Sequence, residues 1–301
     1  MALSMRFASC LAVYLLASPA HQIDIPPRTQ WPNGHGYCGE TSIQSIALHY
    51  GSWISQKVVR KVAGGEVLLG VNESKTLDRL HFEYTNWDYE KPKPQFEAFS
   101  VWLKSHVSQG HPAIFAVYLT DGTDDPDYDH IVPAVGIEYA RASTYDPADT
   151  LWFNSNFGDR LHRTMGTLSA TRKKCTYDSS AGGCIPKNVD YGTAVTGIVD
   201  ERAATLPVRL SVDRKDEPNV STGESPVQLH ATVTASGLTP GRRYALLRYD
   251  DYKDVPTDAT AAGFLASNHA ARVDFTATGA EWTHSDAFMS DGIAYYRCVP
   301  L

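Results

Sequence analysis

The feature that most constrains this 301-residue chain is a change of texture near Leu206. From Gln30 to about Glu201, helical and strand patterns alternate. Ile43, Ile46, Ala47 and Tyr50 recur at helical spacing and Gly51 follows them, which predicts a helix over 42–50 closed by a glycine cap. Phe96, Phe99, Trp102, Leu103 and Val107 predict a second amphipathic helix between Pro94 and Gly110. Strand-like runs follow at 113–119, 131–139, 150–153 and 193–199. Beyond Leu206 the helical signal disappears. Stretches 208–212, 227–234, 244–249, 272–276 and 293–298 are β-rich and separated by turns such as Thr239-Pro240-Gly241. The expected fold class is α+β, with early helices and an antiparallel sheet in 21–205, then a small all-β sandwich in 206–301. The boundary is expected at about 203–207.

Residues 1–20 belong to neither part. Arg6 is their only charge, an apolar core runs over 8–16, and Ser18-Pro19-Ala20 supplies small residues at its end. This pattern predicts a secretory signal peptide cleaved after Ala20, and the apolar stretch is well short of the ~20 residues that span a bilayer. The expected location is extracellular. Export makes the five cysteines informative. Cys10 leaves with the signal, and Cys175 and Cys184 bracket a short loop that makes them the natural bridge. Cys298 is expected as a buried free thiol. Asn72 and Asn219 lie in glycosylation sequons. The net charge of −7, with no basic block, argues against nucleic acid or an acidic membrane surface as partner.

The densest chemistry lies in Gln30-Trp31-Pro32-Asn33-Gly34-His35-Gly36-Tyr37-Cys38-Gly39-Glu40-Thr41-Ser42. A glycine-rich loop delivers a cysteine to the first turn of a helix, where free N–H groups and the helix dipole favour a thiolate. Of the eleven histidines, His130 stands out because Asp129-His130 opens the apolar run to Tyr139. If the following strands form a hairpin turning near Ala142, His130 faces Asn154 with Cβ atoms ~5 Å apart, close enough for the amide to hold the imidazole. Asn156, two residues on, competes for that role.

These residues together resemble papain-superfamily cysteine peptidases, most nearly the branch related to bacteriocin-processing peptidases. The shared marks are Gln–Pro–Asn, Tyr-Cys-Gly, the helix ending in Tyr50-Gly51, the strand-opening His130, and Trp152-Phe153-Asn154-Ser155-Asn156-Phe157-Gly158. The resemblance implies a papain-like fold over 21–205; it does not cover 206–301, where the strand pattern predicts an Ig- or fibronectin-like accessory domain. It implies Cys38 as nucleophile, His130 as base, Asn154 as orienter and Gln30 as an oxyanion donor, without a cofactor. Gln30 lies eight positions before Cys38, so Gly34-His35-Gly36 reads as an insertion. The implied activity is hydrolysis of a peptide or protein substrate through a thioester. The alternatives are amidase or transpeptidase chemistry on a small substrate, or a catalytically inactive binding protein. The stretch 21–28 is too short for a long propeptide, so none is expected.

Asp121, Asp124, Asp125, Asp127 and Asp129 lack the Gly and Glu positions of a calcium loop and read as a solvated acidic loop that would raise the His130 pKa. No zinc-type pairing of Cys and His occurs, so no metal is expected. Tyr249, Tyr252, Trp282, Tyr295 and Tyr296 are read as core aromatics of the β-rich part rather than a binding surface, and a ligand for that part remains unassigned.

Overall fold

The computed structural model describes residues 20–32, 35–119, 130–171, 174–175, 183–189, 191–213 and 225–301. The expected signal peptide (save Ala20), the acidic loop at 121–129 and the sequon at Asn219 lie outside the described residues. In chain order the elements of the first part are β1 (Ala20–Gln22), α1 (Cys38–His49), β2 (Ser52–Ile54), α2 (Gln56–Ala63), α3 (Glu73–Arg79), β3 (Phe82–Asn86) and α4 (Phe96–Val107). They continue with β4 (Ala113–Val117), β5 (His130–Glu138), β6 (Thr150–Asn154), β7 (Arg160–Thr164), α5 (Met165–Leu168), β8 (Ser169–Ala170), β9 (Ile185–Pro186) and β10 (Gly192–Ile198). The last part holds β11 (Val208–Val212), β12 (Gln228–Ser236), β13 (Arg243–Tyr249), β14 (Ala271–Thr276), β15 (Glu281–Met289) and β16 (Ile293–Pro300), with a short 3-10 turn, Tyr252–Asp254, and a short α-helix, Ala261–Ala266. The class is mixed α+β with antiparallel sheets.

The main sheet runs β3-β10-β4-β5-β6-β7, with β1 added along the far half of β5. Its ladders are antiparallel, so strand ends gather on two opposite edges. One edge collects the ends of β3, β4 and β6 and the starts of β5 and β10. Helices α1 and α4 pack on this sheet. α1 is central: every residue from Gly39 to Leu48 is buried. Most of its polar side chains find hydrogen-bond partners inside, Ser45 Oγ being an exception. Thr41 Oγ1 donates to Tyr37 O at 2.8 Å and Gln44 Nε2 donates to Ile54 O at 3.1 Å. The helix stops as the sequence suggests. Gly51 adopts φ +68°, and its N–H bonds Leu48 O, while a Cβ there would press into Val208 of β11.

That contact shows why the change of texture does not mark a clean separation. β2, which leaves α1, pairs with β16 and joins the sheet β14-β13-β16-β2. A second sheet, β11-β12-β15, shares with it a core that includes Leu210, Val233, Tyr244, Leu246 and Cys298, and also Leu48 and Trp53 from the first part. Trp53 Nε1 donates to Ser290 O at 2.9 Å, and Tyr295 Oη donates to Leu80 O at 3.1 Å. Tyr249, Tyr295 and Tyr296 are buried, while Tyr252 and Trp282 are half-buried. Trp282 lies flat against Phe275 at 3.7 Å between ring centroids.

Cys175 and Cys184 form a disulfide, and Cys298 is a buried free thiol. Burial pushes that thiol up to about 12. Asn72, the described sequon, has its side chain engaged, accepting from Leu68 N and donating to Glu66 O, each at 2.8 Å. Among the described residues no helix is long and apolar enough to cross a membrane.

Candidate active site

Cys38 is the first residue of α1, reached through Gly36 in a left-handed turn at φ +52°. Arg60 of α2 fixes this approach. Its Nε donates to Glu40 Oε1 at 2.7 Å, its Nη2 donates to His35 O at 3.0 Å and to Gly36 O, and its guanidinium lies 3.4 Å from the Tyr37 ring centroid. One cation thus holds both the loop before Cys38 and the turn after it. Gly39 lets the next loop close in: a Cβ there would stand 2.7 Å from both the Cβ and the carbonyl oxygen of Val67.

His130 opens β5, faces Val117 across β4, and is 4% exposed. Its Nε2 donates to Ser155 O at 2.7 Å, and its ring stacks on Phe157 with centroids 4.8 Å apart. A carbonyl only accepts, so this bond puts a proton on Nε2, and in the neutral ring the lone pair is then on Nδ1.

The first turn of α1 and the start of β5 are tied together. Asn156 Nδ2 donates to Cys38 O at 2.9 Å, to Ser42 Oγ at 2.8 Å and to Ile131 O at 2.9 Å. Ser42 Oγ donates to Cys38 O at 2.8 Å. Asn156 adopts φ +60°, a conformation that asparagine tolerates better than most residues, and its Oδ1 is buried without a hydrogen-bond partner.

The expected role of Asn154 is corrected here. β5 carries an irregularity between Ala134 and Gly136, and its ladder pairs Ala134 with Phe153 and Gly136 with Trp152. Counting four residues from the Ala134 pair brings His130 level with Phe157, the ring it stacks on, and not with Asn154. The Asn154 side chain turns instead to the N-terminal segment, where Nδ2 donates to Ile25 O at 3.0 Å and Oδ1 accepts from Arg160 Nε at 3.3 Å. The group that holds the imidazole is the Ser155 carbonyl, and the asparagine beside Cys38 is Asn156.

Gln30 reaches the site through Asn156. Its N–H donates to Asn156 O at 2.8 Å, and Thr29 bridges Phe157. Its side-chain Oε1 is buried without a hydrogen-bond partner. Cys38, His130, Asn156 and Gln30 are therefore brought together, and Asn154 is not. His35 sits on the exposed loop, with its carbonyl used by Arg60.

The resting thiol is not a ready thiolate. Burial pushes the Cys38 pKa up to about 11, Glu40 adds to the rise, and backbone hydrogen bonds at Ile131 and Gly39 oppose it. The residue keeps partial exposure. Burial also raises the Glu40 carboxyl, against the pull of Arg60. Sequence reasoning missed Arg60, Ser42 and the Ser155 carbonyl; nothing in the spacing marks them. Among the described residues no three His, Cys, Asp or Glu side chains converge as a metal site. The sequence matches no protein-family model and no curated protein.

Proposed function

We propose that this protein is a secreted cysteine peptidase of papain-like fold that cleaves peptide bonds through a thioester at Cys38. The observation that carries the reading is the Asn156 amide, which joins the helix turn holding Cys38 to the strand start holding His130. In this mechanism His130 Nδ1 takes the Cys38 proton as the sulfur adds to the substrate carbonyl carbon. General-base attack of this kind suits a thiol held protonated at rest. As the first helical residue, Cys38 has a backbone N–H with no intrahelical partner, so that N–H can hold the developing oxyanion, joined by the Gln30 side-chain amide. The C–N bond then breaks, His130 gives its proton to the leaving amine, and the thioester remains. Water attacks the thioester while His130 accepts its proton, which returns to the sulfur as the acid leaves. The Ser155 carbonyl keeps the ring in the required tautomer throughout, and Phe157 covers one of its faces.

Export is supported by the signal-like residues 1–20 and by the Cys175–Cys184 bridge, a bond that persists in oxidising compartments. The test is covalent trapping. The folded protein is incubated, under mild reducing conditions, with peptides carrying a Michael acceptor in place of the scissile amide, and adducts are located by mass spectrometry. The proposal expects a single adduct on Cys38 that disappears in His130→Ala. Labelling of Cys38 only after denaturation would overturn it.

A further inference from the structure

A second recess opens on the same edge of the main sheet. A cavity of about 390 Å³ lies between the start of β10, the end of β3 and the start of α3. Gly192 at its floor pairs with Phe115 on β4, and two residues further along β4, Val117 pairs with His130. Two strand spacings across and two residues along place the cavity about 12 Å from His130. The loop over 64–72 connects the two places. Val67 presses on Gly39, and Gly70, at φ +73°, meets Tyr191 so closely that a Cβ would stand 2.5 Å from its ring. Large apolar side chains line this route in the open: Leu68 is 46% exposed, Val71 67%, Tyr89 61% and Phe157 45%. Exposed apolar surface of that extent beside a reactive thiol is what an extended peptide would cover.

The chemistry of the cavity is specific. Glu73, only 4% exposed, contributes its carboxylate, and Trp87, Tyr89 and Tyr191 contribute aromatic surface. The carboxylate is held by donors that all run one way. Thr193 Oγ1 donates to Asn86 Oδ1 at 3.0 Å, Asn86 Nδ2 to Ser74 Oγ at 3.1 Å, and Ser74 Oγ to Glu73 Oε1 at 3.0 Å. Such a chain polarises toward its end and fixes the acceptor in place. A mostly buried carboxylate is costly unless a cation pairs with it, and aromatic faces attract cations as well. Lys91 Nζ, 5.6 Å from the Trp87 ring centroid, already makes one such contact.

We infer that this cavity binds the side chain of a lysine or arginine in the substrate, three or four residues from the bond that Cys38 attacks. The spacing follows from the ~3.3 Å advance per extended residue set against the separation from His130. The inference rests on the peptidase reading and names its specificity.

The experiment uses peptides carrying Lys, Arg, norleucine or Glu at each position from two to five residues on either side of the scissile bond. Cleavage by the full mature protein should favour Lys and Arg over norleucine in kcat/KM by at least about tenfold at one position three or four residues away, as a charge-assisted pair warrants. Glu73→Gln should reduce that ratio to about twofold or less. Because Glu73 is buried, Tyr89→Ala, which alters an exposed wall, provides a second variant and should reduce the ratio about threefold, a loss in the range of one cation–π contact. In parallel, calorimetry on Cys38→Ala should show the same Lys-over-norleucine preference in binding, lost in Cys38→Ala/Glu73→Gln. Cleavage without a Lys or Arg preference overturns the cavity assignment and leaves the peptidase reading standing. Glu73-dependent binding of Lys peptides without any cleavage by the mature protein overturns the peptidase reading alone. Neither cleavage nor binding overturns both.

Discussion

Replacing Asn156 by alanine should do far more harm than replacing Asn154. Asn156 Nδ2 donates to Cys38 O in a partly buried bond and to Ser42 Oγ and Ile131 O in buried ones. The –NH2 group has two hydrogens to share among these acceptors, so at about 1 kcal/mol net per hydrogen bond their loss costs ~2–3 kcal/mol. Alanine at φ +60° adds about 1 kcal/mol, while removing the unpartnered Oδ1 returns about as much. The expected destabilisation is therefore ~2–3 kcal/mol, measured as a shift in the urea midpoint at unchanged m value. The cost to function should be larger than the cost to folding. Without the amide, the hydrogen bonds of Ser42 to Cys38 O and Ile131 O remain to tie the Cys38 turn to the start of β5, and a 1 Å misplacement of the proposed nucleophile and base costs about 10²-fold. Asn154→Ala loses its bonds to Ile25 and Arg160, an expected ~1–2 kcal/mol, with kcat/KM within about fivefold of the parent. Purified folded variants assayed side by side decide the matter. A larger loss of activity in Asn154→Ala than in Asn156→Ala would refute the register argument, and with it the exchange of roles between the two asparagines.

Three further outcomes follow from local chemistry. With the Cys38 thiol held up at about 11, its alkylation by iodoacetamide should rise about tenfold per pH unit from pH 7 to 10, and a plateau below pH 7 would mean a preformed thiolate–imidazolium pair instead. Burial lowers His49 from 6.5 to about 4, so the folded state refuses a proton that the unfolded chain accepts. That contribution to stability is complete above about pH 6.5 and is lost as pH falls toward 4, by at most ~3 kcal/mol. His106 and His111 shift in the same direction; urea unfolding at pH 7.5 and 4.5 should show the loss, and His49→Gln should lessen it. Gly39→Ala would drive a Cβ into Val67, whose backbone oxygen cannot rotate away, so it should cost ~1–3 kcal/mol and lower kcat/KM; a neutral effect on both would show that the 64–72 loop yields freely.

Much of the fold was legible because its signals are local. Phe96, Phe99, Leu103 and Val107 carry a full helical stripe, and all four are buried. α2 escaped notice because only Val59 and Val62 are apolar and buried among Gln, Lys and Arg. Its marks were terminal instead, Ser55 accepting from Val58 N–H and Gly64 at φ +80°. β15 escaped because the half-buried positions of its alternation are filled by Trp282, His284 and Asp286, not by aliphatic residues. At the candidate site, the positions of Cys38 at a helix start and His130 at a strand start were legible because each is marked by its own residue and immediate neighbours. The partner of His130 was not. The hairpin turns about residue 144, since Glu138 pairs Thr150, and not about Ala142, which moves the register by four residues; the one-residue irregularity beside Gly136 returns only one of them. Gly136 is needed there because β1 and Trp152 crowd it, with His21 O 3.1 Å from where a Cβ would lie. The group that replaces the expected amide is a backbone carbonyl, which any residue would supply. The same limit applies to β2, whose three residues Ser52, Trp53 and Ile54 give no hint that they complete a sheet formed more than 180 residues later.

The central claim is that Cys38 is the nucleophile of a peptidase. It is tested most directly by hydrolysis of a mixed peptide library by the purified mature protein under mild reducing conditions, beside Cys38→Ala. The account predicts cleavage that falls at least ~10³-fold in the variant while its urea unfolding curve stays that of a folded protein. Equal turnover in the two proteins, or none in either, would contradict it.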